Sequence, residues 1–232
     1  MEVANAVRFK DVFSIIGPSM VGPSSSHTAG ALRIGRAARR IFGQRPEIAE
    51  IMLYGSFAET YIGHGSDLAF AAGLLDFEAD DMRIRDSLLL AEETGMHISF
   101  TKGKGPFSHP NTVRLKLSGG GREDVIVGSS IGGGNIVVTD VNGFEVNFTV
   151  RTPTLLVFHR DRPGIVAEIT GLLGGGGINI GFMEVDRKSR LGDALTVIET
   201  DESLSESLME TIRGMQEVTR IGIVDLTAKG VV

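Results

Sequence analysis

The sequence predicts an α+β protein of two domains, a mixed alpha/beta domain over residues 1–151 and a smaller one over residues 152–232. Three observations carry this. Apolar residues recur at helical spacing early in the chain, short alternating strands separated by turn residues fill the stretch up to Phe148, and after Arg151-Thr152-Pro153 the pattern restarts as strand, helix, strand, strand, helix, strand. That last order is the ferredoxin-like split unit, and Pro153 is a natural boundary.

The first element is an amphipathic helix over Ala29–Phe42, with Leu32, Ile34, Ala38, Ile41 and Phe42 near one face and Arg33, Arg36, Arg39 and Arg40 mostly on the other. Gly22-Pro23-Ser24-Ser25-Ser26-His27-Thr28 precedes it and is rich in hydroxyls that cap helix starts. Ile48–Tyr54 reads as a buried strand ended by Gly55. The turn Gly63-His64-Gly65-Ser66-Asp67 opens a short helix over Leu68–Leu75, with Ser66 as its cap, and Arg83–Thr94 reads as a further helix. From Ile98 to Phe148 short strands are expected, with alternation in Val113-Arg114-Leu115-Lys116-Leu117 and a hairpin at Asn142-Gly143. The second domain reads as strand Thr154–Phe158, helix Gly164–Leu173, strands Ile178–Asp186 and Ala194–Glu199, helix Ser205–Met215 and strand Thr219–Asp225, with a frayed tail beyond.

With 42% hydrophobic and 22% charged residues, the 232-residue chain has the composition of a globular protein with apolar surface enough for real cores. A formal charge of -6 gives no basic footprint for a nucleic-acid partner. No apolar run approaches the ~20 residues that cross a bilayer, and the start lacks the basic-then-apolar pattern of a signal peptide. The expected location is therefore cytoplasmic, with no membrane partner. Cysteine is absent, so neither a disulfide nor a thiolate-held zinc or iron-sulfur centre can form on this chain. Glycine clusters at 119–121, 132–134 and 174–177 indicate tight turns and close backbone approaches.

Several turns carry chemistry. Ser24 to Thr28 sets hydroxyls and an imidazole beside the free N–H groups of a helix start, which suits a small carboxylate or phosphate and equally suits plain capping. His64, between two glycines, can project as a base near neutral pH or simply be solvated. Ser108-His109-Pro110-Asn111-Thr112 is a proline-locked turn whose amide can hold a substrate, or a turn that only leads into a strand. Gly128 to Asn135 suits an anion-binding loop but lacks the Gly-Lys-Ser/Thr ending of a P-loop and the spacing of a dinucleotide fingerprint, so no nucleotide is expected. Further on, His159-Arg160-Asp161-Arg162-Pro163-Gly164 joins strand to helix, with Pro163 suited to the first helical turn. That loop and Asn179 are expected to lie close together and to present N–H and amide groups to an amino acid, or to be simple connections.

The runs Phe13-Ser14-Ile15-Ile16-Gly17-Pro18 and Val21-Gly22-Pro23-Ser24-Ser25-Ser26-His27-Thr28-Ala29-Gly30 resemble the opening of the beta chain of bacterial iron-sulfur L-serine dehydratases. Gly63-His64-Gly65-Ser66-Asp67 and His109-Pro110-Asn111-Thr112 are similar to further motifs of that family, in the expected order, so the resemblance spans about residues 10 to 150. Asp161-Arg162-Pro163-Gly164 and Gly177-Ile178-Asn179-Ile180 resemble an ACT domain. The resemblance implies that L-serine loses water to give aminoacrylate and then pyruvate and ammonia, without pyridoxal phosphate. It also implies a [4Fe-4S] cluster, ligated by a separate alpha chain, whose open iron acts as Lewis acid on the serine hydroxyl. On this footing the present chain is inactive alone and covers the cluster site of its alpha partner. It contributes His27 and His64, with Ser66 and Asn111 as helpers, and binds substrate through Ser24, Ser25, Ser26 and Thr28. The ACT half implies self-association and a small amino acid or other small effector at Gly164 and Asn179. The first domain is also similar to the allosteric substrate-binding domain of some phosphoglycerate dehydrogenases, which implies a competing reading: a non-catalytic amino-acid-sensing module.

Overall fold

A wide π-helical turn over Ser25–Ala29 runs into helix α1 (Gly30–Phe42), and Ser24 caps it, its hydroxyl accepting from His27 N at 3.2 Å. Gly43, at φ 81°, closes the helix in the left-handed conformation that glycine tolerates best. The computed structural model describes residues 20–107 and 109–226; the motif Phe13–Pro18, Ser108 and the tail from 227 onward lie outside the described residues.

Strand β1 (Ile48–Leu53) pairs in parallel with β2 (His97–Lys102) through a helical crossover. The crossover holds α2 (Gly55–Thr60), α3 (Ser66–Leu74), a 3-10 turn (Met82–Asp86) and α4 (Ser87–Glu93). Strands β3 (Thr112–Gly119), β4 (Arg122–Gly132), β5 (Asn135–Val141) and β6 (Phe144–Phe148) complete a sheet of order β2-β1-β3-β4-β5-β6. The β5–β6 hairpin turns at Asn142 and Gly143, both at positive φ, the chemistry that an Asn-Gly pair supplies.

Helices α1 and α3 lie side by side and run in the same direction, because Thr28 meets His64 at one end and Arg40 meets Asp76 at the other. Two glycines set how close they come. A Cβ on Gly73 would stand 2.3 Å from Leu32 O, and one on Gly35 would stand 2.8 Å from Phe70 O. The basic face of α1 is not all solvated: Arg36 is 3% exposed and pairs with Asp76 at 3.2 Å and Glu78 at 2.5 Å. Replacing Arg36 by Ala strands Glu78, leaves Asp76 with Arg40 alone, and opens a void. The expected loss is about 3 kcal/mol in urea denaturation, at the low end for a broken buried pair because both carboxylates keep some contact with water.

Four local expectations need correction. Ser66 is not the cap of α3: Gly65, at φ 64°, occupies that position, Ser66 is the first helical residue, and its hydroxyl is drawn to a carbonyl of the α1 turn. The Arg83–Thr94 helix divides into the 3-10 turn and α4 at Ser87, whose hydroxyl donates to Leu68 O at 2.7 Å. Gly55 does end β1, but it also begins α2, a helix the sequence reading missed. Pro163 precedes rather than enters the next helix, for which Gly164 is the cap at φ 88°.

The second sheet is made of β7 (Thr154–Arg160), β8 (Ile180–Arg187), β9 (Asp193–Thr200) and β10 (Val218–Val224), in the order β10-β7-β9-β8. With helices α5 (Ile165–Gly175) and α6 (Glu206–Arg213) it realises the ferredoxin-like order. The central strands β7 and β9 are buried on both faces. Leu155, Val157 and Ile198 pack under the helices, while Leu156, Phe158, Leu195 and Val197 join the core of the first sheet. This is why Thr154–Phe158 reads as a continuous apolar run rather than an alternation. Where the sheets meet, the outer N–H groups of β6 and its extension are taken by carboxylates: Glu145 N by Asp186 at 2.8 Å, Asn147 N by Glu184, and Thr149 N by Glu199 at 2.9 Å. No helix among the described residues is long and apolar enough to cross a membrane.

Candidate active site

The parallel course of α1 and α3 brings their N-terminal turns together, and two hydroxyls lock the junction. Thr28 Oγ1 donates to His64 O at 3.1 Å and Ser66 Oγ donates to His27 O at 2.7 Å. Thr28 and Ser66 are buried, so each spends its hydroxyl on the partner turn's main chain. The two imidazoles then meet edge to face, with ring centroids 4.6 Å apart.

His27 is held on both sides. Nε2 lies 2.9 Å from Ser56 Oγ, and Nδ1 lies 3.1 Å from Ser26 Oγ and 3.4 Å from Ser24 Oγ. Its ring also stands edge-on to Phe57 at 5.5 Å. Burial, with a smaller contribution from His64, pushes the His27 pKa below its ordinary value, so the ring is neutral at pH 7. A neutral imidazole has one donor and one acceptor nitrogen, and here both face hydroxyls that can serve either role.

Ser56 opens α2, and a third turn anchors it. Its N–H donates to Pro110 O at 2.7 Å, and a Cβ on the preceding Gly55 would sit 2.4 Å from that same oxygen. Only glycine allows this approach, and φ 53° at Gly55 favours it further. Next to Pro110, Asn111 receives Ser130 N on its carbonyl at 3.0 Å, and a Cβ on Gly30 would collide with Ser130 Oγ. The turns of α1, α2, α3 and β3 therefore converge with the C-terminal end of β4.

Six buried side-chain polar atoms have no hydrogen-bond partner among the described residues, and four belong to this junction: His64 Nδ1, Asp67 Oδ1, Asn111 Oδ1 and Ser130 Oγ. Buried polar groups are ordinarily paired, so such a concentration marks groups directed at something other than the fold. Burial pushes the Asp67 carboxyl up from its usual range and the His109 pKa down. A cavity of about 220 Å3, lined in part by Gly22, Thr28, His64, Gly65 and Arg85, gives a second approach to His64.

Most residues singled out in the sequence are thus neighbours: Ser24, Ser26, His27, Thr28, His64, Ser66 and Asn111. Ser25 contributes its carbonyl, which accepts from Gly30 N. Ser56 was missed, while Asp67 and Ser130 lie inside motifs singled out in the sequence without a role of their own. A glycine-serine pair between a strand and a helix was the one available signal for Ser56. Gly164 and Asn179 lie elsewhere, and their expected proximity within one chain is corrected by the strand register. Arg160 and Arg187 sit opposite Asp193 and Ala194, while Thr154 and Ile180 sit opposite Glu199 and Thr200. Strands β7 and β8 are therefore parallel, and the loop after β7 and the residue before β8 are about 20 Å apart at ~3.3 Å per residue. Asn179 Nδ2 donates to Asp201 at 2.6 Å.

Comparison with known proteins supplies the deciding observation. The family model "Serine dehydratase beta chain" matches residues 9–95, and the chain is 43% identical to "Probable L-serine dehydratase, beta chain" of Bacillus subtilis over 93% of its own length and 98% of that protein. The chain belongs to the L-serine dehydratase beta-chain family. It is also 38% identical to "L-serine dehydratase, beta chain" of Peptoniphilus asaccharolyticus, over 92% of its length and 97% of that chain. The ACT domain model matches residues 153–215, so this beta chain ends in an ACT domain whose sheet is the second one described above. A third relative, "D-3-phosphoglycerate dehydrogenase" of Synechocystis, is 30% identical over 77% of this chain but only 32% of its own length. His27, Ser56, His64, Ser66 and Asp67 fall inside the stretch matched by the beta-chain model, and Asn111 and Ser130 beyond it.

Proposed function

We propose that this chain is one subunit of a two-chain L-serine dehydratase that converts L-serine to pyruvate and ammonia, and that the paired-histidine junction closes over substrate held on an alpha chain. The observation that carries this is the gathering of four unpartnered buried polar atoms around two imidazoles 4.6 Å apart. The names of the two beta-chain relatives support it. A [4Fe-4S] cluster does not fit the donors of this chain: the sequence has no cysteine, and the described residues contain no group of three His, Cys, Asp or Glu that could hold a metal ion. The cluster is assigned to the alpha chain, and what remains to derive is the work of this chain's own side chains.

His64, whose Nδ1 has no partner among the described residues, is assigned the role of taking the α-proton of serine. His27, kept neutral and oriented by Ser24, Ser26 and Ser56, supplies the second proton-transfer site beside it. Asn111 Oδ1 and Ser130 Oγ face the same junction with free polar capacity for the ammonium and carboxylate of an amino acid. Thr28 and Ser66 act as positioning residues, and Ser25 remains a substrate contact by its place in the turn. Covering the site excludes water and strengthens each of these interactions.

The lowered pKa of His27 has a defined sign. Its neutral form is favoured in the folded chain, so its contribution to stability is present above the ordinary histidine value of 6.5 and is lost as pH falls through the lower folded value. The ionisation of His27 is accordingly expected to contribute to the acid limb of kcat/KM for the reconstituted enzyme below pH 6.5, and His27→Gln is expected to change the shape of that limb, leaving the part that belongs to the base His64. A profile with an unshifted limb in both proteins speaks against a catalytic His27.

The ACT half is proposed to associate with a second copy and to bind a small amino acid or other small effector. Gly164 and Asn179 sit at opposite ends of one sheet, so two copies are needed to bring one of each together. Asn179→Ala is expected to weaken any effector response at least tenfold while leaving kcat unchanged, as read from initial rates across an effector titration. We place the boundary between the two units at residues 151/152 and the protein in the cytoplasm.

A second reading rests on the Synechocystis dehydrogenase, which carries a stretch similar to this chain within a longer protein. On that reading the junction senses an amino acid and performs no chemistry. The pH dependence of kcat, taken beside that of kcat/KM, separates the two, since a sensor changes apparent affinity and not the ionisation governing kcat.

A further inference from the structure

The seam between the two sheets encloses a second cavity, of about 400 Å3, which the proposed reaction does not use. The first sheet contributes Arg122, Asp124, Asn142 and Phe144 to its wall, and the ACT sheet contributes Phe158, Lys188 and Arg220 among others. Asp124 is 2% exposed and already bound twice, by Arg220 Nη1 at 2.6 Å and Asn142 Nδ2 at 2.6 Å. Asp193, the other carboxylate of the wall, pairs with Arg160 at 3.0 Å.

Two cations are left over. Arg122 Nε is buried with no hydrogen-bond partner among the described residues, 3.6 Å from the occupied Asp124. Lys188 Nζ donates to Gly143 O and meets no carboxylate among the described residues. All three cations lie over aromatic faces: Arg122 over Phe42 at 4.6 Å, Arg220 over Phe158 at 4.0 Å and Lys188 over Phe144 at 4.3 Å. Such stacking fixes the charged groups before any ligand arrives, so little side-chain entropy is lost on binding. Burial and the neighbouring Arg220 disfavour the charge on Arg122 more than Asp124 supports it, and an incoming anion would relieve the difference.

We propose that this seam is a binding site for a small organic dianion, a phosphate monoester or a dicarboxylate, held by the Arg122 guanidinium and the Lys188 ammonium. Three cations, Arg122, Arg220 and Lys188, share the single carboxylate of Asp124, and an excess of positive charge that includes a guanidinium able to bind two oxygens at once matches a doubly charged oxyanion. The cavity is larger than a single oxyanion requires and within the range of small-molecule sites, so the ligand carries a carbon body that fills the remaining space. Because both sheets line the cavity, its occupant joins the ACT unit to the unit bearing the histidines.

Isothermal titration and thermal melting of the full chain with an alkyl phosphate monoester, with succinate and with L-serine test this. One or both dianions are expected to bind and to raise the melting temperature, the tighter of them naming the source of the oxyanion. Arg122→Gln and Lys188→Ala are each expected to weaken that binding at least tenfold, with Asn179→Ala without effect. Lys188 is exposed, so its variant reads the site even if Arg122→Gln folds poorly. No binding of either dianion, equal binding of L-serine through the same residues, or undiminished affinity in Lys188→Ala overturns the proposal.

Discussion

Replacing His64 by Ala in the reconstituted two-chain enzyme is expected to lower kcat about 100-fold or more, the scale of a lost proton-transfer group. The melting temperature should barely move, because the turn is held by main-chain bonds, His64 N to Thr60 O at 3.0 Å and Thr28 Oγ1 to His64 O at 3.1 Å, which alanine keeps. KM for L-serine should change little. A variant with unchanged kcat and altered KM makes His64 a binding group; one with neither change removes it from the site. The ring is chosen over His27 for the larger effect because His27 has hydroxyl partners on both nitrogens, whereas His64 Nδ1 has none among the described residues.

Gly73→Ala is expected to destabilise the protein by about 2 kcal/mol and to abolish most of the activity. Two effects oppose each other. Alanine in a helix interior gains about 1 kcal/mol over glycine, while forced overpacking costs about 1–3 kcal/mol or more. The clash wins because the new Cβ would lie 2.3 Å from Leu32 O and 2.9 Å from Arg36 N, both backbone atoms of α1 that no rotamer change can move aside. Relief requires α1 and α3 to separate, and with them the turns that hold His27 and His64 together. Gly171→Ala provides the contrast. That glycine lies within α5 with nothing within 4 Å of a Cβ, so the same substitution there is expected to stabilise by about 1 kcal/mol. Urea denaturation of the two variants gives both signs; equal stability of Gly73→Ala and the parent contradicts the close crossing as the organiser of the site.

What could be read in advance follows from where the information sits. The ACT half was legible almost element by element, because its strands and helices are each long enough to show their period and are separated by glycine and proline signals. Its internal geometry was not: the distance between Gly164 and Asn179 depends on strand register, which pairing partners far along the chain decide. Helix α2 is six residues long, too short for a 3.6-residue pattern to emerge, and it formed because tertiary contacts hold it. Ser66 looked like a cap by residue type, yet its hydroxyl found a better acceptor across the junction. Arg36 looked like part of a solvated face until Asp76 and Glu78 arrived from beyond α3. At the site, His27, His64 and Asn111 stood out because they interrupt glycine- and serine-rich turns, whereas Ser56 is a lone hydroxyl that only its 2.9 Å contact with His27 distinguishes.

The most direct measurement is anaerobic co-expression with an alpha chain, followed by pyruvate formation from L-serine in the presence and absence of this subunit. The expected result is activity only when both chains are present, lost again with His64→Ala. Full activity from the alpha chain alone would contradict a catalytic beta subunit and leave the junction as a sensor.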